Sequence, residues 1–238
     1  MFDPAQILYE DNHLLVVNKR AGELVQPDPS GGAALENDIK DFIKVRDAKP
    51  GEVFLGVVHR IDRPVSGAVV FAKTSKALVR LNEMIKARRI EKTYWAIVER
   101  APEQSGALLV HHIVRNAKNN TSRAYNATTP ESKEARLQYK LLASSDRYHL
   151  LEVALLTGRH HQIRAQLSAI GCPIKGDLKY GAARSNSGGG ICLHSRRLRF
   201  AHPVTPPTAP GAVAAPREVD VTAPVPEDKL WTYFEENA

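Results

Sequence analysis

Cysteine is nearly absent: Cys172 and Cys192 are the only two in 238 residues, and no CxxC pair occurs. Neither a disulfide framework nor a cysteine-rich zinc site can be built from them, and two free thiols fit a reducing compartment. The start, Met1-Phe2-Asp3-Pro4-Ala5, has neither the basic n-region nor the apolar h-region of a secretory signal. No apolar run approaches the length of a membrane span. The expectation is a soluble cytoplasmic protein with no membrane partner. The phosphate-cradling P-loop and the dinucleotide fingerprint are missing too, and no internal repeat is evident.

Length and positive charge are present. With 43% hydrophobic and 25% charged residues, the chain can bury a substantial core, and 238 residues sit at the upper end of single-domain size. One domain over 1–238, with a core of about 7–226 and a short docking tail, is expected. Lys and Arg total 33 against 26 Asp and Glu, a net +7. Together with an isoelectric point near 9.4, this suits a polyanionic partner, either nucleic acid or an acidic membrane surface.

The chain is organised around His59-Arg60-Ile61-Asp62-Arg63-Pro64-Val65-Ser66-Gly67, ahead of the apolar run Ala68-Val69-Val70-Phe71-Ala72. If residues 57–62 are extended, alternation puts Arg60 and Asp62 on one face and His59 and Ile61 on the other. A neighbouring cation keeps a carboxylate ionised, which suits a nucleophile or an anionic base. On chemistry alone the same pattern also describes a structural ion pair at a strand end.

Ile7-Leu8-Tyr9-Glu10 and Leu14 to Lys19 flank Asp11-Asn12-His13, which reads as a hairpin. Arg20 to Gly32 reads as a loop, and Leu35, Ile39, Phe42 and Ile43 recur at helical spacing. Thr74 or Ser75 can cap a second helix with Leu78, Leu81, Met84 and Ile85 on its apolar face. Lys86, Arg88 and Arg89 fall in its last turn, where they complement the helix dipole or touch phosphate. Glu91 to Glu99 reads as a strand on which Tyr94 and Trp95 face opposite sides, one in the core and one free to stack. Residues 100–136 read as short strands among surface loops, and Ala135–Leu142 with Tyr148–Leu156 as an antiparallel pair.

In Leu156-Thr157-Gly158-Arg159-His160-His161-Gln162-Ile163-Arg164, Thr157 is a plausible N-cap. With Ile163, Leu167 and Ile170 as its stripe and Gly171 as its stop, the helix spans about three to four turns. Its first turn would be basic at an already electropositive end, so an anion is called for, an RNA phosphate or the Asp62 carboxylate. A solvated or internally paired turn is the alternative. Adjacent helical histidines diverge by about 100 degrees, which argues against a metal at His160 and His161.

Past this helix, Cys172 to Gly181 reads as an ordered turn and Ser185 to Gly190 as a flexible surface loop. Ile191–His194 and Leu198–Phe200 read as short strands, and Pro203 to Pro216 as an extended connection. Glu218 to Val225 suits an edge strand, and Trp231, Tyr233 and Phe234 suit a docked tail.

Taken together, His59-Arg60-Ile61-Asp62 with Ser66-Gly67, Lys92 to Val98 (KTYWAIV), and Thr157 to Arg164 (TGRHHQIR) resemble the RluA family of RNA pseudouridine synthases. Gly171-x-Pro173-Ile174-x-Gly176-Asp177-x-x-Tyr180-Gly181, Leu193-His194 and Phe200-x-His202-Pro203 are similar to that family's C-terminal half. The resemblance covers about residues 7 to 226. It implies an α/β (α+β) catalytic domain on a mixed, mostly antiparallel sheet flanked by helices and loops, with RNA in a central cleft. It implies that Asp62 is the catalytic aspartate, Tyr94 the tyrosine that stacks near the target base, and Arg164 the arginine that pairs with the aspartate. Arg60 would help fill the space left by the flipped nucleotide, and His59, Arg159, His161 and Gln162 would contact substrate.

Two departures from the family pattern stand out. Val65 occupies a position where many members carry threonine, and the chain begins almost directly with the catalytic domain. No small N-terminal S4 domain is expected, so target recognition would fall to the catalytic domain itself.

The implied activity is isomerisation of uridine in ribosomal or transfer RNA, which needs no cofactor, metal or second substrate. Taking the base out of its stack costs a few kcal/mol, and stacking on Tyr94 returns about 1–3 kcal/mol. Asp62 would act as nucleophile or as the base leading to a glycal, and Arg164 would keep it ionised. A non-catalytic RNA-binding module is one alternative, though a carboxylate in its groove would repel RNA. A glycoside or nucleoside hydrolase is another, and it calls for a second carboxylate that these motifs do not supply. A monomer with no obligatory protein partner is expected.

Overall fold

The computed structural model describes residues 1–28, 33–204 and 217–238. Most of the expected connection from Pro203 to Pro216 therefore lies outside the described residues, as does the end of the Arg20–Gly32 loop. The hairpin of β1 (Ile7–Glu10) and β2 (Leu14–Lys19) is closed by Asp11. Its Oδ1 accepts hydrogen bonds from the backbone N–H groups of His13 at 2.7 Å and Leu14 at 2.8 Å. Its Oδ2 accepts from the Tyr9 hydroxyl at 2.7 Å and meets His202 Nε2 at 2.8 Å.

Burial alone would raise the Asp11 pKa. The Tyr9, His13 and Leu14 hydrogen bonds and the His202 charge outweigh burial and hold it at about 2, against an ordinary 3.8. The stability contributed by this carboxylate is therefore complete above about pH 4 and lost as pH falls toward 2. Asp11→Asn is expected to flatten that limb of an acid-unfolding curve followed by circular dichroism.

α1 (Leu35–Arg46) buries Leu35, Ile39 and Ile43, the spacing seen in the sequence. The extended run expected over 57–62 is cut short, because β3 is only Gly56–Val57. The chain then turns, with Val65 N–H donating to Asp62 O at 3.0 Å. Pro64, which has no N–H for a ladder, lies inside that turn. No ladder therefore fixes which way the side chains of His59–Asp62 face.

β4 (Ser66–Ala72) follows, buried throughout. α2 (Ser75–Lys86) is capped by Thr74, whose hydroxyl accepts from Ala77 N–H at 3.3 Å. The helix ends at Lys86, and Arg88 adopts a left-handed φ of 56°, so Arg88 and Arg89 lie beyond the last turn.

β5 (Glu91–Val98), β6 (Gly106–Asn116), β7 (Thr121–Tyr125), β8 (Lys133–Ser144) and β9 (His149–Leu155) form the antiparallel half. β6 is one continuous 11-residue strand where short pieces were expected. It pairs with β8 from Gly106 opposite Lys140 to Ile113 opposite Lys133, and its outward Leu108 and Val110 are exposed, so no apolar–polar alternation marks it.

α3 (Gln162–Ala169) begins well after Thr157, with His161 as its cap residue at φ 51°. The expected longer helix is thus replaced by a loop over 157–161, and Thr157 is spent elsewhere. The loop expected to be flexible at 185–190 is tied by Asn186, whose Oδ1 accepts from Lys175 Nζ at 2.5 Å and whose Nδ2 donates to Gly190 O at 3.0 Å.

β10 (Leu193–Ala201) is a single strand with a bulge between Ser195 and Arg197, which explains why the sequence reads as two. β11 (Glu218–Thr222) pairs along its edge. α4 (Lys229–Glu236) docks through Trp231 and Phe234, while Tyr233 stays 43% exposed.

Eleven strands among the described residues make one sheet, ordered β1-β2-β4-β10-β5-β9-β8-β6-β7, with β3 on β4 and β11 on β10. All pairings are antiparallel except β4 with β10. Leu15 and Val17 join the cluster under α1, α3 and α4, and Leu14 and Val16 join the one under α2. The sheet is therefore covered on both faces, and β2 and β4 read as continuous apolar runs.

At the parallel junction Gly67 has φ +111° and lies so close to β10 that a Cβ would overlap the backbone of Ser195. Both conditions demand glycine. Gly67→Ala is expected to cost more than about 3 kcal/mol in urea unfolding.

Candidate active site

The segment that carries Asp62 and the segment that carries Arg164 meet on one side of the sheet. Arg164 Nη1 donates to Asp62 Oδ2 at 2.9 Å, although 102 residues separate them. The rest of the guanidinium is gripped by Asp177, with Nε to Oδ2 at 2.7 Å and Nη2 to Oδ1 at 2.8 Å. The Arg164 and Asp177 side chains are 5% and 1% exposed, while Asp62 keeps 29%. Burial opposes the Arg164 charge, but the two carboxylates outweigh it and raise its pKa. One arginine is thus fixed by a buried fork and presents its remaining nitrogen to a half-open carboxylate.

The loop before α3 is built around Gln162, which is 3% exposed. Its Oε1 accepts from Thr157 Oγ1 at 2.8 Å and Arg159 N–H at 2.9 Å, and its Nε2 donates to Arg136 O at 3.1 Å. Gln162 braces the loop and Thr157 closes onto it, which is why the helix starts late. Arg159 Nε donates to Glu134 O at 2.9 Å.

His161 is buried, with Nε2 3.4 Å from Asp62 Oδ2 and Nδ1 2.8 Å from the Tyr180 hydroxyl. Burial pushes its pKa down to about 3 despite the Asp62 charge, with Arg164, His160 and Lys179 adding to the depression, so the ring is neutral. His160 stacks on it at 3.8 Å between centroids, whereas a helical pair would diverge. Among the described residues no group of three or more His, Cys, Asp or Glu could hold a metal.

His59 Nε2 accepts from Val70 N–H at 3.2 Å, and burial, aided by Lys92, depresses its pKa to about 3. Arg60 is exposed. Tyr94 is 6% exposed, and burial lifts its phenol to about 12, so it stays protonated. Trp95 is equally buried, and Arg196 Cζ covers its ring at 4.3 Å. The expected division of the pair, one in the core and one free to stack, becomes two buried rings, of which Tyr94 lines the cleft.

That cleft has a volume of about 860 Å³. Asp62, Tyr94, His161 and Arg164 lie along it, with His59, Arg60, Arg159 and Gln162 also in its lining. Lys86, Arg88, Lys92 and Arg136 extend the positive wall, and the other carboxylate in the lining, Glu91, has a side chain 71% exposed. Val65 is buried in the lining, where it offers no hydroxyl.

Sequence reasoning assigned no role to Asp177, Tyr180 or Lys19. Lys19 is fully buried and donates to Arg20 O at 2.9 Å, Glu23 O at 2.8 Å and Arg63 O at 3.1 Å. Burial lowers its pKa to about 8, while Glu23 and Asp62 act to raise it. The ammonium thereby ties the turn after Asp62 to β2. The usable signal for Asp177 and Tyr180 was their place in the Gly176-Asp177-x-x-Tyr180-Gly181 motif.

A family model described as RNA pseudouridylate synthase matches residues 13–169. Uncharacterized RNA pseudouridine synthase YhcT of Bacillus subtilis (strain 168) is 34% identical over 203 residues, covering 84% of this chain and 65% of that protein. Ribosomal large subunit pseudouridine synthase D of Xylella fastidiosa is 34% identical over 239 residues, covering 94% of this chain and 67% of that one. Ribosomal large subunit pseudouridine synthase C of Vibrio parahaemolyticus is 31% identical and covers 83% and 61%.

The chain thus spans about 61–67% of the length of these relatives. The structure of human RNA pseudouridylate synthase domain containing 4 shares the fold, with a TM-score of 0.76 at 23% identity over 97% of this chain and 92% of that one. The fold, the order of the motifs and these matches place the chain in the RNA pseudouridylate synthase family, within the RluA group that its motifs resemble.

Proposed function

We propose that the protein converts uridine in folded RNA to pseudouridine, with Asp62 as the reacting group. The observation that carries this reading is the Asp62–Arg164 pair at 2.9 Å in a cleft walled by cations and lined by the neutral Tyr94 phenol. The cations bind phosphates and position the strand. A uridine turned out of its stack rests its uracil against Tyr94. Asp62 then starts cleavage of the C1′–N1 bond, by attack at C1′ or as the base that leads to a glycal. The uracil turns within the cleft and C5 bonds to C1′ as the ester to Asp62 breaks or the glycal regains its proton; the C5 proton then leaves and N1 takes one up from solvent. The product is an isomer, so the atoms balance without a second substrate.

The names of the Xylella and Vibrio relatives point to large-subunit ribosomal RNA as the first substrate to try. Transfer RNA is the second. The enzyme is proposed to act as a monomer, as one catalytic unit, and in the cytoplasm. Among the described residues no helix is long and apolar enough to cross a membrane.

The test is tritium release from [5-3H]uridine in ribosomal and transfer RNA transcripts, assayed separately, with nucleoside analysis of the product. Release with pseudouridine as product supports the reading and names the substrate class. Free uracil would instead mean a hydrolase. Tight binding of both RNAs with no release would favour the binding-module alternative.

A further inference from the structure

Among the described residues two side chains pair with the Asp62 carboxylate within 4 Å, Arg164 and His161. Both meet the same oxygen, Oδ2, at 2.9 and 3.4 Å. Among the described residues Oδ1 has no hydrogen-bond partner, which leaves it for the substrate. What His161 offers Oδ2 depends on which ring nitrogen carries the proton, and the surrounding hydrogen bonds decide that.

The Tyr180 hydroxyl accepts a hydrogen bond from Ser122 N–H at 2.7 Å. Its own proton is then free to go to His161 Nδ1, 2.8 Å away. In the opposite tautomer Nδ1–H would point at that oxygen, the phenol proton would lose its partner in a buried site, and a lone pair on Nε2 would face the carboxylate. The tautomer with hydrogen on Nε2 gives the phenol proton a partner and turns a donor toward the carboxylate.

The ring cannot easily turn away. His160 stacks on it at 3.8 Å and is itself held by Ser122 Oγ at 2.9 Å and Asn120 Oδ1 at 3.1 Å. Tyr180 meets it edge-on at 5.6 Å. The backbone of His161 is in the left-handed region, φ 51°, a conformation that costs about 1 kcal/mol or more and is retained here at the site.

We infer that Tyr180 and His161 are a positioning pair for Asp62: the phenol sets the imidazole tautomer, and Nε2–H steadies Oδ2 so that Oδ1 faces the reacting sugar. His161 then serves the carboxylate, whereas the motif resemblance had it touching substrate. The 3.4 Å approach is longer than a hydrogen bond, and such contacts commonly tighten once substrate is bound. The same short stretch supplies Asp177, so both partners of Asp62 are held from residues 177–180. The inference rests on the proposed activity for its kinetic readout and on geometry alone for a second, spectroscopic one.

The kinetic test uses the full chain and the RNA on which wild type is active. His161→Leu is expected to lower kcat about 10- to 100-fold with KM within threefold, the usual penalty for losing a group that orients a reacting side chain. His161→Gln, whose amide nitrogen can replace Nε2–H, is expected to recover most of that loss. Tyr180→Phe should lower kcat several-fold, and adding it to His161→Leu should cause no further drop, because the phenol acts through the ring. A rise in KM at unchanged kcat, a His161→Gln variant no faster than His161→Leu, or additive losses in the double variant would each overturn the proposal.

Independently of activity, 15N-histidine spectra of wild type should show the Nε2–H tautomer at residue 161 at neutral pH. The signal should move in Asp62→Asn and become a tautomer mixture in Tyr180→Phe. An Nδ1–H tautomer in wild type would refute the pair even if no RNA substrate were turned over, and inactivity of wild type with the expected spectra would count only against the proposed reaction.

Discussion

Asp62→Asn is expected to reduce tritium release by at least about 10³- to 10⁴-fold, the scale on which loss of a reacting side chain acts, while RNA affinity stays within a few fold. The amide has the size of the carboxylate, and its oxygen can still accept from Arg164 Nη1, now 2.9 Å from Oδ2. It can neither attack C1′ nor take a proton, so chemistry stops while the walls of the cleft are unchanged. Removing one negative charge from a cationic groove can only favour a polyanion. Stability should change little, because Arg164 keeps its fork with the buried Asp177. Single-turnover release and filter binding on one preparation test both halves. Wild-type turnover by a contamination-free Asp62→Asn preparation would end the assignment.

Arg164→Met is expected to fail twice, in activity and in stability. The substitution leaves Asp177, with a side chain 1% exposed, as a buried carboxylate without its cation. Removing one partner of such a pair costs roughly 3–5 kcal/mol. Asp62 loses its hydrogen-bond donor at the same time, so turnover should fall by at least about 100-fold. Arg164→Lys should not rescue it, because an ammonium cannot make a two-pronged fork to Asp177 and also reach Asp62. Asp177→Asn in the Arg164→Met background separates the two failures. It removes the stranded charge, so urea unfolding should recover part of the lost stability while tritium release stays at the level of the single variant. Recovery of both together would mean that Arg164 serves only the fold.

Much of this arrangement could be read from the chain. The first hairpin, α1, α2 and the β8–β9 pair carry strong local patterns, and each forms where those patterns place it. Asp62, Tyr94 and Arg164 stood out through motifs, and all three line the cleft. What could not be read is what depends on distant partners.

Thr157 has the chemistry of a helix cap, but its hydroxyl serves Gln162 and Arg136, so the helix begins at Gln162 and His161 takes a left-handed backbone. No local signal announces that exchange. Asp177 looks like an ordinary turn residue until the fold brings Arg164 against it. Tyr180 gains its meaning from Ser122, 58 residues earlier in the chain. β6 hid because its exposed side carries Leu108 and Val110 and so lacks alternation, and β10 hid behind a bulge.

The order of strands also has a consequence for how the protein is made. β10 lies between β4 and β5, touching one in parallel and the other antiparallel, yet it follows β5 in the chain by nearly a hundred residues. Until residues 193–201 have emerged, the two strands nearest Asp62 and Tyr94 have no common neighbour, and the Asp177–Tyr180 turn has only just appeared. A nascent chain therefore carries Asp62 through 102 further residues before Arg164 appears. The proposed site is thus completed in one late step, when β10 slots home between its two neighbours.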